Sequence, residues 1–355
     1  MANVTIVGAG LMGTAMAWPL SDKGHHVRLV GTHLDAETIS GCKKNRFHPR
    51  LNRELPRNVD SYYVEEIAAA LEETDLIVSG VNSLGVHWIG RTLAPHLRPE
   101  QVILAVTKGL EATPQGDLAI LPDVLAGELP PEIRDQVQYA AVGGPCIAGE
   151  LAGRRQTCVV FGSRDQDCVE KLAQVFRTPY YHVWTTQDLV GLEYSAALKN
   201  VYTLGLGLVA GMLEKTGGPD SASAFMHNAA AAVFAQGCTE IERLLGVVGA
   251  STFFSSGLPG AGDLYVTGAG GRTVRLGQLL GKGQSYAEAR QIMADETLES
   301  VEAVRALSIV LPKMVQRNGL EPDELPLMRA LIDIVIYGKP AVIPFESFFR
   351  NMRTA

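Results

Sequence analysis

Val4-Thr5-Ile6-Val7-Gly8-Ala9-Gly10-Leu11-Met12-Gly13 is the stretch that decides the fold of this chain. Four β-prone residues run into glycines spaced G-x-G-x-x-G, and a helical pattern follows at once over Leu11–Lys23. Such glycines permit a tight turn and a close backbone approach to a pyrophosphate, and the helix start supplies N–H donors at a positive dipole end. The spacing alone is a weak signal. At a strand-to-helix junction that opens a domain it is a strong one, with an ordinary glycine turn the minor alternative. Gly8, Gly10, Leu11, Met12 and Gly13 are the candidate dinucleotide contacts.

Outward from this loop, apolar β-rich runs recur at Val27–Val30, Leu76–Val81, Val102–Val106, Val137–Val142, Thr157–Phe161 and Tyr181–Trp184. Helical patterns lie between several of them, as at Asp165–Phe176. Alternation of this kind predicts βαβ units and a mostly parallel sheet. After about Asp188 the strand signals stop, and Ala-, Leu- and Glu-rich windows take over at Ala222–Leu245, Tyr286–Ala294 and Glu299–Gln316. The expected fold class is α/β: a Rossmann-type, mostly parallel sheet domain over residues 1–188, then an all-helical domain over 189–355.

Composition narrows the function. The chain has 355 residues, 46% hydrophobic and 19% charged, with a net charge of −7. That charge argues against bulk nucleic-acid or anionic-membrane binding, but not against a local basic pocket for a small anion. The five cysteines, Cys42, Cys146, Cys158, Cys168 and Cys238, form no C-x-x-C, so reduced thiols in the cytoplasm are expected rather than disulfides or zinc. Two uncharged runs, Ser221–Thr239 and Leu244–Gly262, approach membrane-span length but are broken by polar residues, Gly or Pro, and read as buried or loop segments.

In a doubly wound sheet, ligands sit beyond the carboxyl ends of the strands. The second strand ends in Gly31-Thr32-His33, and the first acid is Asp35. An NAD-specific protein usually has Asp or Glu at the strand end, on the ribose. Without it nothing there rejects a 2′-phosphate, and Thr32 and His33 are candidate donors to one, so NADP or dual use is favoured. Three further strand ends carry Asn82-Ser83, Thr107-Lys108-Gly109 and Gly143-Gly144-Pro145-Cys146. A cation at Lys108 suits an anionic substrate or a developing oxyanion. A solvated loop lysine and an ordinary turn remain open readings.

The helical half holds Gly191-Leu192-Glu193-Tyr194-Ser195-Ala196-Ala197-Leu198-Lys199-Asn200, with no further charge until after Leu213. A lysine in such surroundings is either desolvated and tuned for proton transfer or snorkelling along its apolar stem. Asp263 is the first charge after another long uncharged run, and reads either as the partner of Lys199 or as a helix cap. The glycine-rich stretch Gly268-Ala269-Gly270-Gly271-Arg272 exposes backbone N–H groups beside a guanidinium suited to phosphate.

Together these motifs resemble the NAD(P)-dependent glycerol-3-phosphate dehydrogenases from Gly8 to about Gly338. The likeness is closest to archaeal-type members through Gly31-Thr32, His48-Pro49-Arg50-Leu51 and Gly270-Gly271-Arg272. The resemblance implies reversible reduction of dihydroxyacetone phosphate by NAD(P)H in a homodimer, with no metal. It implies catalytic roles for Lys199, Lys108, Asp263 and Thr267. It implies substrate contacts at Lys108, Gly144, Cys146, Asn200, Asp263, Gly271, Arg272 and Thr273. It adds cofactor contacts at Lys108, Ala148, Arg272 and Glu299. The chain departs from the family at Thr273, usually Asn; at Cys146, often Thr or Asn; at Ser300, usually Gly; and at Gly149, Lys in bacterial members. Competing expectations are a dehydrogenase of the same fold for another phosphorylated ketose or a hydroxy or keto acid, and a dinucleotide-sensing regulatory protein.

Overall fold

The computed structural model describes residues 1–318 and 320–349; Gly319 and residues 350–355, at the end of the expected helical domain, lie outside the described residues. Eight strands build the main sheet: β1 (Asn3–Val7), β2 (His26–Val30), β3 (Val59–Tyr62), β4 (Leu76–Ser79), β5 (Val102–Ala105), β6 (Gln138–Gly143), β7 (Thr157–Ser163) and β8 (Tyr181–Thr186). Their order is β8-β7-β6-β5-β4-β1-β2-β3. All neighbours pair in parallel except β6 with β7. The order reverses between β1 and β4, the topological switch at which such sheets bind ligands.

Both faces of the central strands are covered, so these strands read as continuous apolar runs rather than alternating ones. Ile6, Leu29, Val78, Leu104 and Val142 enter one core, and Val7, Val30, Ile77 and Ile103 the other. The strand β3, Val-Asp-Ser-Tyr, escapes a hydrophobicity reading because it pairs only with β2 at the sheet edge and is half polar. The helical pattern after the glycines resolves into α1 (Leu11–Ala15) and α2 (Ala17–Asp22), meeting at Met16. Pro19 explains the break: its ring crowds the carbonyl four residues back, at Ala15.

The chain forms two compact units, residues 1–108 with 120–193, and 109–119 with 194 onward. The second is mainly helical: α3 (Leu189–Lys215, its first residues in the first unit), α4 (His227–Val247), α5 (Asp263–Gly268), α6 (Arg272–Gly281), α7 (Glu299–Asn318) and α8 (Pro326–Val335). Its unexpected part is the hairpin strand pair Leu110–Ala112 and Leu118–Ile120, of which Ile120 alone falls in the first unit. The Lys313 ammonium of α7 donates to Gln115 O at 3.0 Å, and Arg317 pairs with Asp117 at 3.1 Å, fastening the hairpin to this unit. Among the described residues α3 is the one helix long and apolar enough to cross a membrane, and 78% of its most apolar window is buried within the protein.

Two features fix the helices. Gly207 and Gly211 of α3 face Gly277 and Gly281 of α6 so closely that a Cβ on any of the four would overlap the other helix's backbone. The crossing ties the start of α6 to the helix that carries Lys199. Gly277→Val should lower unfolding free energy by roughly 1–3 kcal/mol through overpacking, read from urea midpoints. The second is Glu240, fully buried, whose carboxylate accepts the Leu327 and Met328 N–H groups at 2.8 Å and so satisfies the start of α8. Gln236 and Tyr202 also donate to it, while burial pushes its pKa up to about 7.

Candidate active site

Register places the ligand edge of the sheet. Val7 pairs with Val30 and Ser79, and Ser79 with Ala105, so Gly8, Gly31, Gly80 and Val106 leave the sheet at one level. The motif glycines are there for different reasons. Gly8 has φ +113°, and a Cβ on it would lie 2.6 Å from Gly80 C; one on Gly13 would lie 2.6 Å from Gly8 O. Packing of the first turn against β4 therefore requires both. Gly10 has φ −69° and its nearest neighbour, Gly80 O, would be 3.7 Å away, so nothing in the protein requires glycine there. Its missing side chain keeps the loop surface open, which fits a dinucleotide lying against Leu11, Met12 and Gly13 at the start of α1. Gly10→Ala should leave stability within about 1 kcal/mol and weaken dinucleotide binding about tenfold or more, measured by titration of cofactor fluorescence.

Beyond β2, Thr32 donates its hydroxyl hydrogen to Asp35 at 2.7 Å and accepts the Leu34 N–H. His33 is exposed and sets its ring edge-on to Trp88 at 5.5 Å. Half-buried Lys108, just past β5, donates to Gly144 O at 3.3 Å, bringing two of the candidate substrate residues together. Cys146 and Ala148 follow β6 and pack on the core, with Ala148 the first residue of the helix Ala148–Ala152.

Glu193 escaped attention as a site residue. It is fully buried, neither carboxylate oxygen has a hydrogen-bond partner among the described residues, and burial pushes its pKa up to about 8 against the opposing pull of Lys108. Its one sequence signal was an acid inside the apolar run that precedes Lys199.

In the second unit the structure joins Lys199, Asp263 and Thr267. Lys199 is 5% exposed and Asp263 2%. The Lys199 ammonium donates to Asp263 Oδ1 at 3.1 Å and to Thr267 Oγ1 at 2.6 Å, and the Thr267 hydroxyl donates on to Asp263 at 3.3 Å. Asp263 and Thr267 sit one turn apart on α5, four residues that place both on one face. Asp263 is the first residue of α5, and the capping position is Gly262, without a side-chain hydrogen bond. Of the two readings open for Asp263, the structure favours the partner of Lys199. A buried ion pair is worth keeping only with its hydrogen bonds made, and here Thr267 supplies the third member.

Arg272 opens α6, and Gly271 before it has φ +107°, which explains the glycine. The start of α6 has no side-chain cap and no acid in its first turn, and Arg272 is exposed beside it. A helix start without a side-chain cap, its positive dipole end and a guanidinium are groups with the chemistry to hold an anion. Thr273 Oγ1 lies 3.3 Å from Ser300 Oγ at the start of α7, next to Glu299. Two of the departures from the family pattern, Thr273 and Ser300, therefore contact each other. Asn200, beside Lys199, is 7% exposed.

Fold and site define a class of protein: a mostly parallel dinucleotide-type sheet unit with a helical unit built around a buried Lys–Asp–Thr cluster. The N-terminal model of NAD-dependent glycerol-3-phosphate dehydrogenase matches residues 3–169, and the C-terminal model of the same family matches residues 188–343. This chain belongs to the NAD-dependent glycerol-3-phosphate dehydrogenase family. It is 33% identical to an NADP(+)-dependent glycerol-3-phosphate dehydrogenase of Archaeoglobus fulgidus, over 85% of this chain and 87% of that one. It is 29% identical to a glycerol-3-phosphate dehydrogenase [NAD(P)+] of Streptococcus pneumoniae, over 95% and 92%. The crystal structure of glycerol-3-phosphate dehydrogenase from Coxiella burnetii superposes with a TM-score of 0.78 at 26% identity, covering 99% of this chain and 98% of that one.

Proposed function

We propose that this protein reduces dihydroxyacetone phosphate to glycerol 3-phosphate, reversibly, with NAD(P)H. The observation that carries the mechanism is the buried Lys199–Asp263–Thr267 cluster. Bound NAD(P)H supplies the hydride to the carbonyl carbon. Lys199 gives a proton to the oxygen as its negative charge develops, and takes one back in reverse. Asp263 and Thr267 hold the amine in place and offset the cost of burying its charge. Arg272 and the open start of α6 grip the phosphate, a remote anchor that orients the carbonyl. Lys108 adds a second cation for substrate and cofactor, as the resemblance implies.

The dinucleotide is assigned to the sheet domain (residues 1–188) and the phosphorylated substrate to the helical domain (189–355). NADPH use, or use of both cofactors, is favoured because no acid stands at the end of β2. The protein is assigned as a cytoplasmic homodimer; sedimentation would test the oligomer. Mixing the protein with NADH or NADPH and dihydroxyacetone phosphate, beside other phosphorylated ketones, tests the reading through loss of cofactor absorbance. No oxidation with dihydroxyacetone phosphate would overturn it. Arg272→Ala should raise KM for the phosphorylated substrate about 10- to 100-fold with a smaller change in kcat, the loss expected for a charge-assisted contact.

A further inference from the structure

The backbone of Ala9, between the first two glycines of the loop, is held at both of its peptide groups by side chains. Its N–H donates to Asp35 Oδ2 at 3.2 Å. Its carbonyl, an acceptor, lies 2.9 Å from His48 Nε2, so that nitrogen carries the hydrogen. His48 Nδ1 accepts the Leu51 N–H at 3.1 Å. The two bonds define a neutral ring with its hydrogen on Nε2. His48 is fully buried, and burial, the largest influence, lowers its pKa; Arg50 acts in the same sense and Asp35 in the opposite one. Asp35 Oδ2 also accepts Thr32 N–H at 2.9 Å and the Thr32 hydroxyl at 2.7 Å. The first acid after β2 is therefore turned onto the glycine loop and the turn that follows the strand.

We propose that Asp35 and His48 are positioning residues for the dinucleotide: they fix the two peptide groups that flank Ala9, so that the loop from Gly10 to Gly13 is set for a pyrophosphate, and Asp35 does not read the ribose. This rests on the reading that the glycine loop takes NAD(P)H. A carboxylate that accepts a ribose 2′-hydroxyl discriminates between the cofactors, since a 2′-phosphate repels it. A carboxylate that holds the loop acts on both alike. Likewise His48 works only while Nδ1 is unprotonated, because a ring protonated there cannot accept the Leu51 N–H.

Asp35→Ala should raise KM for NADH and for NADPH by the same factor, about tenfold, with kcat at saturation within about twofold. Asp35→Asn, which keeps an oxygen for the Thr32 and Ala9 N–H groups, should recover most of that affinity. His48→Gln, which still offers an N–H to Ala9 O, should bind more tightly than His48→Ala. Wild-type cofactor KM should also rise at acid pH, below the ordinary imidazole range because burial lowers the His48 pKa, an acid limb absent in His48→Gln. A changed NADH-to-NADPH ratio in Asp35→Ala would make Asp35 a ribose contact and overturn the inference. Unchanged KM in both Asp35→Ala and His48→Ala, with a normally binding wild type, would overturn it as well. A wild type that binds neither nucleotide would overturn the nucleotide reading first and this inference with it.

Discussion

Lys199→Ala should lose at least three orders of magnitude in kcat for dihydroxyacetone phosphate reduction while cofactor affinity stays within about threefold. Two contributions set that size. A placed general acid is worth roughly 10²–10⁴ in rate, and a preorganised charge at a developing oxyanion roughly 10²–10³. The variant also strands Asp263, 2% exposed, without its cation. Breaking a buried pair by removing one partner costs about 3–5 kcal/mol of stability, so lost activity alone would be ambiguous. The double variant Lys199→Ala/Asp263→Ala separates the effects: stability should recover relative to the single variant, and turnover should not. Added primary amine should restore part of the rate in Lys199→Ala, since it supplies the missing proton donor. Single-turnover rates with each protein check all three. Near-normal turnover in Lys199→Ala, or full recovery in the double variant, would sink the mechanism.

What was legible in the sequence follows from what local pattern can encode. The glycine loop was readable because a tight turn, a close backbone approach and a helix start each need particular residues within ten positions. Lys199 and Asp263 were readable as charges bounding uncharged runs, and the structure brings them to 3.1 Å across 64 positions. The glycine crossing was available as G-x-x-x-G at Gly207–Gly211 and Gly277–Gly281, yet its meaning depends on the two helices meeting. The strand Val59–Tyr62 was hidden because it is short and half polar, and the hairpin Leu110–Ile120 because its strands are only three residues each; pairing rather than a hydrophobic run defines them. In the sequence Asp35 is only the first acid after the second strand, and no local pattern encodes its hydrogen bonds to Ala9 and Thr32. Glu193 and Glu240 are hardest: an acid in a helix reads as a solvated face, and only tertiary packing reveals that both are fully buried.

Glu193→Gln should make the protein markedly more stable relative to wild type as pH rises from 5 to 8. The carboxyl of Glu193 is buried without a hydrogen-bond partner among the described residues, and its pKa is pushed up to about 8, first by burial and then by Asp123, against Lys108. In the unfolded chain it returns to an ordinary value near 4.5. The folded pKa lies above the unfolded one, so the folded state holds the proton more tightly. Its contribution is fully present below about pH 4.5 and is lost progressively up to about pH 8, where the folded group at last ionises. One pKa unit is about 1.4 kcal/mol, so the loss across this window approaches roughly 4–5 kcal/mol. A glutamine has the shape of the protonated acid and cannot ionise, so the variant lacks this term. Glu240, raised to about 7, gives both proteins a similar slope, and the difference between them isolates Glu193. Urea midpoints at pH 5, 6.5 and 8 for wild type and variant measure it. A difference that stays flat across the three would mean that Glu193 is ionised throughout, paired with Lys108 rather than holding a proton beside it.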